Sequence, residues 1–148
     1  MRNYNNLLYY KEKVMLKKFN TDYGLLIIRI GIGAAFLMHG YPKISGGMAK
    51  WEMIGKAMAN IGIGFAPAFW GFMAAFAEFA GGICLIIGFC FRPATAALLF
   101  TMFVAGFMHY TNGDGFNGYS HALENAVVFL GLFIAGPGKY ALKLVKRN

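Results

Sequence analysis

Four long apolar stretches, at about 23–41, 67–91, 93–110 and 119–136, dominate the pattern of the chain. Each holds roughly 18 to 25 residues, enough helix at 1.5 Å per residue to cross about 30 Å of hydrocarbon. Tyr23 and Tyr41 bound the first with rings suited to a membrane interface. Pro67 opens the second, a position that tolerates proline because the first-turn N–H has no intrahelical partner. Arg92-Pro93 predicts a tight return into the third, the Gly/Asn/Asp-rich run 111–118 a turn into the fourth, and Pro137-Gly138 its end. Between the first two stretches, Met48, Trp51, Ile54, Met58 and Ile61 recur at helical spacing among Lys50, Glu52 and Lys56. That pattern predicts a short amphipathic helix at the surface or a lid over one mouth of the bundle. The fold class is all-α: a polytopic membrane four-helix bundle.

Composition and charge sharpen this picture. The 148 residues are 58% hydrophobic and only 14% charged, well below the quarter expected of a soluble domain. The net charge of +8 lies in flanks and loops, which points to anionic lipid headgroups and excludes nucleic acid as the natural partner. Ten Lys and Arg, among them Lys11, Lys13, Lys17, Lys18, Arg92 and Lys139, fall on one side of the four spans. Only Lys43, Lys50 and Lys56 fall on the other. The asymmetry places both termini in the cytoplasm. Residues 1–21 form a basic segment in which Tyr4, Leu7, Leu8, Val14, Met15 and Phe19 approach helical spacing. An interfacial helix and an unstructured basic tail both fit it. No small-residue cleavage site follows, so the segment reads as retained. Residues 22–143 form the four-span domain.

Each span carries something hydrocarbon should reject. Arg29 lies in the first, Glu78 in the second, His109 ends the third, and His121, Glu124 and Asn125 open the fourth. A charge at a helix centre costs about 2.5–3.5 kcal/mol even on lenient insertion scales, so such groups face inward, find partners and usually act. Arg29, Phe36 and Lys43 are seven apart on one stripe, with His39 on its shoulder. His39, Lys43, His109, His121 and Glu124 all fall near the same ends of their helices, and Arg29 and Glu78 are the obvious counter-charges. The expectation is one shared chamber at the extracytoplasmic mouth.

Imidazoles titrate near neutral pH and carboxylates relay protons, so a chamber of this kind suits proton-coupled redox chemistry on a quinone ring. His121 and Glu124, at i and i+3, can share an ion, but the chain has no HExxH or repeated ExxH pattern, and no metal site is assigned. Cys84 and Cys90 are six apart on one helix, too far to bridge, which disfavours a thiol relay.

The spacing Arg29-x3-Gly33-x2-Phe36-x2-His39-Gly40-x2-Lys43 resembles the first-helix signature of the DoxX family of small four-helix bacterial membrane proteins. Glu78-x2-Gly81-Gly82-x2-Leu85-x2-Gly88 is similar to its second-helix motif, Glu124-Asn125 to its fourth-helix acidic site, and 136–142 (GPGKYAL) to its closing tail, with Lys143 in place of the usual acid. The resemblance implies a subunit of a thiosulfate:quinone oxidoreductase or a related membrane redox complex. On that reading His121, Glu124, Glu78, His39 and His109 are the catalytic candidates. Arg29, Lys43 and Asn125 would bind a quinone or a small anionic substrate. A redox partner subunit or a second copy of the chain would complete the assembly. The alternative is a non-catalytic scaffold whose buried charges specify helix packing.

Overall fold

A computed structural model describes the backbone of residues 2–142, and their side chains except those of residues 2–6, 8 and 16–20. Five helices follow in order: α1 (Arg2–Ile44), α2 (Gly47–Gly55), α3 (Pro67–Ile87), α4 (Phe91–Thr111) and α5 (Gly115–Ala135), with a 3-10 turn (Lys56–Ile61) after α2. No strand occurs among the described residues. Four segments are long and apolar enough to cross a membrane: Thr21–Ile44 within α1, then α3, α4 and α5. The chain is a multi-pass membrane protein. We call the side holding α2 and the 3-10 turn the loop end, and the opposite side, near Tyr23 and Gly136, the terminal end.

The basic segment is continuous with the first span, as one helix of 43 residues. The apolar positions Tyr4, Leu8 and Phe19 lie outside the described side chains, while Leu7, Val14 and Met15 are exposed. The return between α3 and α4 falls earlier than the Arg92-Pro93 pair suggests. Gly88 takes φ +74° and closes α3 by donating its N–H to Cys84 O, and Cys90 turns at φ +45°. Arg92 and Pro93 already belong to the first turn of α4, where a proline forfeits no hydrogen bond.

Helices in lipid gain nothing from hiding apolar surface, because the tails are as apolar as leucine, so close packing and polar pairs must hold them. α1 and α3 run antiparallel with their backbones nearly touching. A Cβ added at Gly82 would stand 2.7 Å from Gly33 O and from Leu37 N. Gly40 lies as tightly against the Phe79 backbone. At the loop end, Gly55 of α2 meets Pro67, and Gly71 meets the Trp51 backbone. Around this seam Phe36, Leu85, Phe91, Leu98, Phe129 and Leu132 interlock as the core. The Phe36 and Phe129 rings meet edge to face at 4.8 Å.

Gly82→Ala should therefore push α1 from α3 and destabilise the bundle by about 1–3 kcal/mol, read as a lower thermal midpoint in detergent. Gly24→Ala, where an added Cβ meets nothing within 4 Å, should be neutral or slightly stabilising.

Candidate functional site

The α1–α3 register decides which charges meet. It brings Lys43 to Glu78, with Nζ 2.7 and 2.6 Å from the two carboxylate oxygens. The Glu78 side chain is 3% exposed and that of Lys43 33%, so the pair lies at the edge of the interior. Trp51 steadies it from α2 by donating Nε1–H to Lys43 O at 3.0 Å. The expected Arg29–Glu78 pair does not form. The two residues sit at opposite ends of the α1–α3 contact, and Gly88, not Glu78, is the α3 residue beside the guanidinium.

Arg29 is buried and serves the chain itself. Its guanidinium donates to Pro137 O at 3.1 Å and to Tyr140 O. Three further contacts fasten the same tail: the Lys139 N–H donates to Asp22 Oδ1 at 3.0 Å, the Leu142 N–H donates to Ile87 O at 3.0 Å, and Tyr23 packs on Tyr140 at 5.1 Å. The Tyr23 hydrogen bond, with some desolvation, holds the Tyr140 phenol above its ordinary pKa. Gly88 fits here because any Cβ would strike the guanidinium and Ala141. Arg29, Gly88 and the 136–142 tail thus form one knot at the terminal end.

Away from that knot, α3 and α4 splay apart around a cavity of about 770 Å³. α2 and the 3-10 turn roof it through Ile54, Ala57 and Met58, while Ala77, Gly81, Ala94 and Ala97 line its flanks. Met73, Phe76 and Phe100 stand exposed along its edges, so it opens sideways between the two helices, where lipid would lie. Lys43, Glu78, His109, Trp70 and Thr101 bring polar atoms to it, and the thiols of Cys84 and Cys90 border it nearer the terminal end. His109 Nδ1 pairs with Asp114 at 2.6 Å, and Thr111 Oγ1 donates to Asn60 Oδ1 at 2.9 Å, tying the roof to the end of α4. Trp70 escapes motif reasoning: its Nε1 is buried without a hydrogen-bond partner among the described residues. Its single legible signal is a tryptophan one turn into a membrane span.

The remaining candidates stand on the other side of the bundle. His39 and His121 face each other across α1 and α5, with ring centroids 6.2 Å apart and both side chains exposed. Asn125 is buried and donates to His121 O at 2.8 Å. Glu124 points outward and has no hydrogen bond or ion pair among the described residues. The single chamber expected from the sequence is therefore divided: Lys43, Glu78 and His109 border the cavity between α3 and α4, His39, His121 and Asn125 stand where α1 meets α5, and Arg29 lies apart in the terminal knot. Among the described residues no three His, Cys, Asp or Glu side chains gather as metal ligands, and Cys84 and Cys90 are free thiols.

Four spans, a roofing helix and a buried ion pair beside a laterally open cavity define a small polytopic membrane protein with a ligand-sized site. The DoxX family profile matches residues 24–111, from the first span to the end of α4, and the chain belongs to that family. A curated relative, "Inner membrane protein YqjF" of Escherichia coli (strain K12), is 32% identical over 127 residues, covering 82% of this chain and 90% of the relative. No solved structure matches the chain. The α5 residues His121, Glu124 and Asn125 fall outside the stretch matched by the profile.

Removing one member of a buried pair strands the other. Glu78→Gln alone should cost about 3 kcal/mol, and Lys43→Met/Glu78→Gln together distinctly less, read from thermal midpoints of the four variants. Arg29→Met should release the tail, seen as faster amide hydrogen exchange at Leu142 and a loss of about 1–3 kcal/mol.

Proposed function

We propose that this DoxX-family chain is a quinone-linked redox component of the bacterial inner membrane, binding the quinone in the α2–α3–α4 cavity. One observation carries the reading: an apolar, laterally open cavity of about 770 Å³ whose few polar groups include Lys43, Glu78, His109 and Trp70. Binding sites for small molecules are typically about 300–1,000 Å³, mostly apolar, with a few placed polar groups. A quinone has this polarity: two carbonyl acceptors on a ring and an apolar tail that arrives through lipid. The alanine-lined flank receives the tail. The Lys43 ammonium and the Trp70 indole N–H are donors suited to a ring carbonyl. Reduction to the quinol takes two electrons and two protons. Lys43, Glu78 and His109 are proton-bearing groups at the polar end of the cavity, and a reduced donor protein or partner subunit supplies the electrons. Both termini lie in the cytoplasm on this reading, in keeping with the basic flanks, so the polar end of the cavity faces the extracytoplasmic leaflet.

A non-catalytic scaffold is the second reading, favoured by Arg29, whose two bonded carbonyls both belong to the chain's own closing tail. Titration in nanodiscs separates the two. With its two tryptophans at Trp51 and Trp70, the protein should show saturable fluorescence quenching by a long-tailed quinone. Ala97→Phe, which fills the cavity flank, should weaken binding about tenfold or more without lowering the thermal midpoint. Quenching that never saturates, or that Ala97→Phe leaves unchanged, supports the scaffold.

A further inference from the structure

α1 and α5 meet through Phe36 on Phe129 and, nearer the loop end, His39 beside His121. Toward the terminal end they part around a cleft of about 550 Å³, lined by Ile28, Gly31, Val128 and Gly131. Glu124 stands on the same face of α5, one turn from both His121 and Val128. It is exposed and has no bonded partner among the described residues. Ionisable groups within a membrane span almost always pair or turn inward, so a single chain leaves this carboxylate incomplete. The opposite side of the bundle differs. There Met53, Met73, Phe76 and Phe100 stand exposed at the cavity and Phe103 on the outer face of α4, large apolar side chains suited to lipid.

We propose that the α1–α5 face is the contact between two copies of this chain, related by a two-fold axis along the membrane normal, with Glu124 of each set against His39 and His121 of the other. Charge complementarity carries the argument. The face holds one carboxylate and two imidazoles within about a turn of helix, and a two-fold axis lays such a face on itself, acid opposite base. Gly31 and Gly131, where an added Cβ would meet nothing within 4 Å, leave room for the partner's side chains to enter the cleft. The contact lies across the bundle from the cavity and does not depend on what the cavity binds.

The test uses full-length protein labelled with donor and acceptor dyes, in vesicles of phosphatidylethanolamine and phosphatidylglycerol at rising lipid dilution. Energy transfer should follow a monomer–dimer curve. Its dissociation constant should rise about fivefold in Glu124→Gln and about tenfold or more in Gly131→Phe, which fills the cleft. Oxidative cross-linking gives a check that leaves the cleft intact. In a Cys84→Ala/Cys90→Ala background, Ile28→Cys should yield a covalent dimer and Phe103→Cys should not. Monomer at every dilution, or equal cross-linking through Phe103→Cys, overturns the proposal.

Discussion

The antiparallel seam between α1 and α3 is the constraint on which the rest of the molecule depends. Lipid offers no hydrophobic force to draw helices together, so their register must be set by shape and by polar pairing. Gly33 and Gly40 let the α3 backbone come so close that only one axial alignment fits. That alignment delivers Lys43 to Glu78 at one end and Gly88 to Arg29 at the other. A shift by one turn, about 5.4 Å, would strand both charges in the interior. The glycines and the charges therefore specify the same register by independent means.

Much of this was legible in the residues. The four spans were readable because apolar runs of bilayer length admit few alternatives, and the roofing helix because Met48, Trp51, Ile54 and Met58 keep a helical period. The lateral order of the helices was not. Spacing along α1 puts Arg29 and Lys43 on one stripe, but which of them meets Glu78 depends on the axial offset of α3, which no local pattern encodes. Axial level was readable too, and it misled. His39 and His121 lie side by side between α1 and α5, His109 pairs with Asp114 at the cavity, and Glu124 falls near the middle of α5 because that helix begins at Gly115. Trp70 went unnoticed because a tryptophan near a helix start reads first as an interface anchor.

The division of the polar groups separates roles that sequence motifs run together. Arg29 and the closing tail hold the terminal end together, through guanidinium bonds to Pro137 O and Tyr140 O and the Lys139 N–H bond to Asp22. Lys43 and Glu78 satisfy each other and border a cavity, so the contact that fixes the register also forms part of the cavity wall.

The Arg29–Pro137 hydrogen bond links residues 108 positions apart. At about 5–20 residues per second, the ribosome finishes the closing tail roughly 5–20 s after it has made Arg29. The first span must therefore wait through that interval with a bare guanidinium. Closure of the terminal end is then a late event, which waits until Pro137 and Tyr140 have been made and can reach back to Arg29.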